Sequence, residues 1–198
     1  MSNWKDIIIG TSRNIPIFWD VTKYSTFIMN GPTGSGKTAI EFNIVSQALE
    51  YYDIHCIDIL KVEWLNCKHP NIHVYTTINQ ANTCFDNLLN KEYNKPQLIV
   101  IEDLYELIYQ NKIIQEKLLD LIDKFNIYLC ISCRKYETDN ITNDILSKEI
   151  LRLELQDQNT INRAEGTGHL YFKSTNPITI KAQTINIKEI SEKLQIIS

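Results

Sequence analysis

Short apolar runs alternate along the chain with longer amphipathic stretches. The apolar runs have the length of strands, and in the stretches between them apolar residues recur at helical spacing. The pattern predicts strands at 27–29, 54–59, 98–101, 127–132 and 150–155, and helices from residue 37, near 80–89 and near 111–125. Strands that alternate with helices are typical of an α/β protein with a parallel sheet.

The pattern changes towards the C-terminus. A polar, glycine-containing connection at 156–168 precedes an expected β-hairpin at 169–184 and a short helix at 187–194. We therefore predict an α/β fold with a mostly parallel central sheet, flanking helices and a C-terminal β-hairpin. The length of 198 residues is that of a single domain, which we expect to span 1–198.

An octapeptide at 31–38 follows the first predicted strand and opens the first predicted helix. It reads G-x-x-x-x-G-K-T, the pattern of a phosphate-binding loop, or P-loop. Glycines allow the backbone to curl around phosphates, the lysine reaches the β- and γ-phosphates, and the threonine hydroxyl can bind Mg²⁺. The positive end of the helix dipole adds to the attraction. The sequence therefore predicts a nucleotide site formed by Gly31, Pro32, Thr33, Gly34, Ser35, Gly36, Lys37 and Thr38.

Two adjacent carboxylates, Glu102 and Asp103, end the apolar run at 98–101. This is the pattern of a Walker B motif, and we expect its strand to lie beside the strand that carries the P-loop. One carboxylate can then hold the Mg²⁺ shell while its neighbour orients and deprotonates the attacking water. The alternative is a pair of acids that only solvates a strand end.

Cysteine usage indicates a reducing compartment. The five cysteines are odd in number and lie mostly in apolar segments, which does not suit a disulfide framework. Cys130 and Cys133 form a C-x-x-C inside a predicted buried strand with no second ligand pair nearby, so we expect neither metal nor redox use. The chain shows no signal-peptide pattern and no apolar run of roughly 20 residues, and we expect a cytoplasmic protein.

The net charge of −4 argues against a protein that coats nucleic acid by bulk electrostatics alone. It leaves open a ring that concentrates positive groups on one inner surface, because a total charge does not show how charges are distributed.

Further segments occur in a specific order around the P-loop. They are 14–21 and 27–31 before it, Ile57-Asp58-Ile59-Leu60-Lys61-Val62-Glu63, the Walker B stretch 101–107, Ile127 to Lys135, Leu151-Arg152-Leu153, and 166–171. In this order the chain resembles, nearly end to end, the motor domain of the FtsK/SpoIIIE family of DNA translocases. That family lies within the FtsK/HerA superfamily of P-loop ATPases, which includes viral genome-packaging ATPases.

The resemblance implies a P-loop NTPase fold of the RecA-like, additional-strand type, with ATP and Mg²⁺ as cofactors. It implies a ring-shaped homo-oligomer, expected to be a hexamer, that hydrolyses ATP to move double-stranded DNA. Conjugative plasmid transfer and packaging of a viral genome both fit such a motor core without the family's membrane anchor and winged-helix domain. The implied further partner is a membrane channel or a capsid portal or vertex protein, so that the chain acts at a membrane complex or a virion.

The acidic pair departs from the family pattern. Glu102 stands where the family has Asp, and Asp103 stands where it has the catalytic Glu. The resemblance thus implies that Asp103 is the general base and that Glu102 binds Mg²⁺ together with Thr38. The shorter side chain of Asp103 reaches less far towards the water that it would activate.

Two positions for basic or polar groups stay open. Cys133 and Arg134 stand where the family's sensor strand has Thr and Gln, so the sensor residue is undecided. Ring motors complete the catalytic site with an arginine from the neighbouring subunit. By the resemblance, Arg152 is the first candidate for this finger and Arg163 the second.

Two other functions remain as alternatives. Related motors power protein secretion, although they usually carry several motor domains in one chain. A nucleotide-dependent switch with little turnover is the other, and it is favoured if the inverted acids abolish hydrolysis.

Overall fold

The described chain forms one ten-stranded mixed sheet with helices on both faces. The computed structural model describes residues 6–109, 111–134, 145, 148, 150–155, 167–171, 177–181 and 187–196. The strands are β1 (Asp6–Ser12), β2 (Ile15–Asp20), β3 (Thr26–Asn30), β4 (Asp53–Ile57), β5 (Ile72–Tyr75), β6 (Gln97–Ile101), β7 (Ile127–Cys133), β8 (Ile150–Leu155), β9 (Thr167–Tyr171) and β10 (Ile178–Lys181). The helices are α1 (Lys37–Ala48), α2 (Ile78–Asn90), α3 (Leu104–Tyr109), α4 (Lys112–Ile122) and α5 (Ile187–Leu194).

The strand order is β2-β1-β10-β9-β8-β3-β7-β6-β4-β5. The six strands from β8 to β5 all run parallel to one another. Every residue of β6 and β7 is buried, which agrees with strands that are covered on both faces and therefore read as continuous apolar runs. The predicted α/β fold with a parallel core is confirmed, while the edge strand β5 was not predicted.

The position of the Walker B strand differs from the expectation. β6 does not pair with β3, because β7 lies between them and hydrogen-bonds to both. Asn30 of β3 is level with Cys133 of β7, and Ile101 of β6 is level with Ile131 of β7. This inserted strand is the additional strand of the predicted fold type, and it places the end of β7 between the P-loop and the acidic pair.

The other flank of the sheet is antiparallel. β9 and β10 form the predicted C-terminal hairpin, and β9 pairs with β8. The hairpin of β1 and β2 extends this flank and was not predicted. Gly168 is required at the junction, since a Cβ there would come within 2.5 Å of the Glu154 carbonyl oxygen. The sheet is therefore mixed, with a parallel core and an antiparallel flank.

Helices cover the parallel core on both faces. Ile44 and Val45 of α1 and Leu194 of α5 are buried on one face. Phe85 of α2 and Leu118 of α4 belong to the apolar cluster on the opposite face. In the described part of the chain, no helix is long and apolar enough to span a membrane.

Two of the predicted helices, α2 and α4, begin at capping residues. The Thr77 side chain accepts a hydrogen bond from the Gln80 N–H before α2, and Asn111 accepts one from the Ile113 N–H before α4. Such caps satisfy N–H groups that lack an intrahelical partner.

The short α3 was not predicted. Arg163 and most of the polar connection at 156–168 lie outside the described residues.

Candidate nucleotide-binding site

A cavity of about 390 Å³ opens at the edge of the sheet where the parallel strands end. It is lined by the P-loop, by the residues after β4, by the acidic pair after β6 and by the end of β7. The lining residues are Thr33, Gly34, Gly36, Lys37, Thr38, Ala39, Leu60, Val62, Glu63, Glu102, Asp103, Ser132 and Arg134. Carboxyl ends of parallel strands are the usual location of ligand sites in open α/β sheets.

The P-loop connects β3 to α1 in the conformation that a phosphate cradle requires. Gly34 and Gly36 have φ angles of 80° and 98°, in the left-handed region that glycine adopts without steric cost. The Ser35 N–H donates to the Pro32 carbonyl at 3.2 Å and closes the turn. No side chain caps α1, and no acidic residue lies in its first turn. The helix N-terminus therefore presents its positive end to an anion in the cavity.

Lys37 is held over the loop by backbone carbonyls. Its Nζ donates to the carbonyl oxygens of Gly31 at 2.6 Å and Pro32 at 3.0 Å. Burial lowers the pKa of Lys37, and the negative charge of Glu102 opposes that shift. The ammonium group is thus buried, oriented and close to the position where the P-loop binds phosphates.

Glu63 is a site residue to which the sequence assigned no role. The Thr38 hydroxyl donates to its carboxylate at 3.3 Å, and burial together with the charge of Glu102 raises the pKa of Glu63. The buried Asp58 carboxylate accepts hydrogen bonds from the backbone N–H groups of Val62, Glu63 and Trp64, which fixes the loop after β4. The position of Glu63 in the loop after a parallel strand was the sequence signal that could have indicated its role.

A second buried acid, Glu41, lies behind the Walker B residue. Glu41 is on α1, one turn after Thr38, and its side chain is fully buried. Its two carboxyl oxygens have no hydrogen bond of good geometry. Burial, with the negative charge of Glu102 added, raises the pKa of Glu41 well above 4.5 and favours the neutral form. Its position inside the apolar α1 pattern concealed it from sequence analysis.

Asp103 lies in a strained backbone conformation and is paired with an arginine. Its φ of 58° is uncommon for a residue other than glycine, and its N–H donates to the buried Ser132 hydroxyl at 3.2 Å. Its Oδ2 is 2.7 Å from Nε of Arg134, the residue that follows β7. The acidic pair is therefore brought to the cavity as predicted, and Arg134 joins it there.

The residues present fit a magnesium ion. Thr38, Glu63 and Glu102 bring hard oxygen atoms to the same cavity, and the buried Oε2 of Glu102 has no hydrogen-bond partner. Among the described residues, no group of three or more His, Cys, Asp or Glu side chains could hold a metal by itself. Mg²⁺ is usually held by one or two carboxylates together with substrate phosphates, so this set is sufficient.

Arg152 is not among the residues that line the cavity. It lies on β8, where its guanidinium is 3.6 Å from the Glu154 carboxylate and 4.5 Å from the centre of the Tyr171 ring. The structure thus brings together Lys37, Thr38 and the acidic pair but leaves Arg152 outside the site of its own chain.

Comparison of structures identifies the fold. The pCW3 conjugation coupling protein TcpA, in a monomer form with ATPγS, matches with a TM-score of 0.83 and 17% identity, over 98% of this chain and 71% of that one. The chain has the fold of the FtsK/HerA-type ATPases. Searches with protein-family models and among curated proteins find no match.

Two further FtsK/HerA-type structures match this chain with lower TM-scores. The type VII secretion ATPase EccC of Thermomonospora curvata matches with a TM-score of 0.74 and 13% identity, over 92% of this chain and 26% of that one. The genome-packaging NTPase B204 of Sulfolobus turreted icosahedral virus 2, in complex with ATPγS, gives a TM-score of 0.59 and 12% identity, over 81% of this chain and 98% of that one. At these identities the likeness shows the fold.

The buried Glu41 predicts a pH dependence of stability. Because its pKa is raised in the folded state, the wild-type protein loses stability as pH rises from about 4.5 towards the folded pKa, by up to about 1.4 kcal/mol per pH unit. Glu41→Gln cannot ionise, so the variant should become more stable relative to wild type with increasing pH. Urea unfolding of both proteins between pH 5 and pH 8 measures this difference. Glu50→Gln, at an exposed position, is the control, and parallel pH profiles for Glu41→Gln and wild type would contradict the assignment.

Proposed function

We propose that this chain is an ATP-hydrolysing motor that assembles into a ring and drives double-stranded DNA, in plasmid transfer or in packaging of a viral genome. The observation that supports ATP as the substrate is the cavity in which Lys37 and Thr38 of the P-loop meet Glu102 and Asp103. A P-loop with a lysine, a hydroxyl ligand for Mg²⁺ and a strand-end acid is the arrangement that phosphoryl transfer to water requires.

Each group has a distinct task in this proposal. The backbone N–H groups at the start of α1 and the Lys37 ammonium bind the phosphates. Thr38 and Glu102 hold Mg²⁺, which neutralises charge on the phosphate oxygens. Asp103 accepts the proton of the attacking water, for which its buried position beside the cavity is suitable. Glu63 contacts the Thr38 hydroxyl and orients it.

The choice of DNA as cargo is supported by the sequence resemblance and by the likeness in fold to TcpA and to the packaging NTPase B204. The fold is also similar to EccC, a secretion ATPase that has been seen with a signal sequence peptide. A protein cargo is therefore the alternative, and the response of ATP hydrolysis to DNA distinguishes the two.

Steady-state ATP hydrolysis should increase when linear double-stranded DNA is added to the purified protein. Lys37→Ala should lower the rate by about 100-fold or more, because it removes a cation from the transferred phosphoryl group. If hydrolysis is lost in Lys37→Ala but the wild-type rate does not change when DNA is added, the result would contradict a DNA cargo and favour protein secretion. ATP binding without hydrolysis would favour a nucleotide-dependent switch.

Asp103→Asn should stop multiple-turnover ATP hydrolysis, with a loss of about 100-fold or more, because an amide cannot accept the proton of water. ATPγS binding measured by calorimetry should persist in this variant, which shows that the site is folded. Retained turnover in Asp103→Asn would exclude Asp103 as the general base.

A ring also predicts an arginine that acts on the neighbouring subunit, and we propose Arg152 for this role. Its position outside the cavity of its own chain is compatible with action in trans, and Glu154 and the Tyr171 ring hold its guanidinium. Arg163, the other arginine considered from the sequence, lies outside the described residues.

Mixing two inactive variants tests this arginine. Arg152→Ala and Lys37→Ala should each be inactive alone, and a 1:1 mixture should regain hydrolysis because about a quarter of the interfaces in a random ring combine an intact Lys37 with an intact Arg152. A mixture that stays inactive, although the subunits exchange, would contradict action in trans. An active Arg152→Ala protein would remove Arg152 from the catalytic machinery altogether.

A further inference from the structure

We propose that Arg134 is the residue that distinguishes ATP from ADP, by binding the terminal phosphate within its own subunit, and that Asp103 competes for the same guanidinium. The inference rests on the proposed ATP site. It concerns a position where the family has glutamine, and the observation that carries it is the contact between Arg134 and Asp103 in this chain.

The topology places Arg134 at the centre of the site. β7 lies between β3, which leads into the P-loop, and β6, which leads into the acidic pair. The Gly31 N–H donates to the Cys133 carbonyl at 3.2 Å, so the residue before Arg134 is tied to the first residue of the P-loop. Arg134 and Lys37 both line the cavity. They supply positive charge to it from the start of α1 and from the end of β7.

Asp103 holds the guanidinium by a short contact. Oδ2 of Asp103 is 2.7 Å from Nε of Arg134, while the Asp103 side chain is only 5% exposed and that of Arg134 is 57% exposed. The carboxylate is thus the buried and fixed partner. Its backbone is held in the left-handed region by the hydrogen bond from its N–H to Ser132. Arginine is the long and accessible partner, and it can change contacts without moving the strands.

A phosphate bound in the cavity competes for this arginine. Guanidinium groups bind phosphate oxygens with charge-assisted hydrogen bonds at least as favourable as those to a carboxylate. Lys37 and the N-terminus of α1 are available to the phosphates that ADP and ATP share, whereas Arg134 approaches from the strand beyond the P-loop. The additional phosphate of ATP is therefore the one that draws Arg134 away from Asp103.

This exchange would couple substrate recognition to the release of the base. While Arg134 contacts Asp103, one oxygen of the carboxylate, Oδ2, is engaged in the 2.7 Å ion pair and is not available to the attacking water. When Arg134 moves to the terminal phosphate, the Asp103 carboxylate is released. The same contact then selects ATP and frees the carboxylate oxygen that accepts the proton of water.

Affinities for ATPγS and ADP, measured by calorimetry in the presence of Mg²⁺, test the proposal without hydrolysis. Arg134→Gln should weaken ATPγS binding by about tenfold or more and change ADP binding by less than about twofold. Arg134→Lys should keep part of the ATPγS preference, because it retains the charge and loses the planar geometry. Asp103→Asn should tighten ATPγS binding because it removes the competing carboxylate.

The double variant Asp103→Asn/Arg134→Gln distinguishes competition for Arg134 from a general change of charge in the cavity. If Asp103 acts through Arg134, the gain in ATPγS affinity from Asp103→Asn should shrink in the Arg134→Gln background, giving a measurable coupling. Purely additive effects on ATPγS affinity would show that Asp103 and the terminal phosphate do not compete for Arg134. Arg13→Gln, which removes an exposed arginine from the turn between β1 and β2, is the charge-matched control and should leave both affinities unchanged.

The outcomes also separate this inference from the proposed function. A wild-type protein that binds neither ATPγS nor ADP would contradict the nucleotide site itself. A wild-type protein that binds both, with an Arg134→Gln variant that loses both affinities equally or neither, would overturn the role of Arg134 alone. Intact ADP binding in Arg134→Gln shows that the variant is folded.

Discussion

The parallel pairing of β3, β7, β6 and β4 is the constraint on which the site depends. Because these strands run in the same direction, their carboxyl ends meet at one edge of the sheet. Four separate segments are thereby brought together: the P-loop, the acidic pair, Arg134 and the loop after β4 that carries Glu63. A residue shift in any one pairing would move its turn away from the others. The apolar packing on both faces of the sheet therefore positions polar groups that do not contact that packing themselves.

The balance of charge in the cavity suits a ligand that brings a divalent cation with it. Three carboxylates line it, from Glu63, Glu102 and Asp103, against two cations, Lys37 and Arg134. A polyphosphate alone would meet net repulsion, whereas a complex with a divalent cation supplies the missing positive charge. Burial strengthens the interactions of Lys37 and Asp103, the two buried members of this set, because little water remains to screen them. Glu41, in the neutral form that burial favours, adds no further negative charge behind Glu102.

Several elements could be predicted because their signals are local. α1 and α4 showed helical periodicity, and the apolar runs that became β6 and β7 are continuous because both strand faces are buried. The N-terminal hairpin escaped prediction, since Arg13 and Asn14 adopt φ angles of 50° and 65° in its turn without the glycine that usually marks such turns. β5 escaped because it is short and partly exposed at the edge. α3 has only six residues, too few for a clear period.

The octapeptide from Gly31 to Thr38 determined by itself that the chain carries a phosphate cradle, because the backbone geometry of such a loop depends on residues adjacent in sequence. The sequence also showed that two acids end an apolar strand. Only the tertiary structure decided that β7 separates that strand from the P-loop, and that Arg134 consequently contacts Asp103. Tertiary structure likewise placed Glu63 on Thr38 and buried Glu41 behind Glu102. These contacts join residues on different elements, and their partners are set by strand order, which no local pattern encodes.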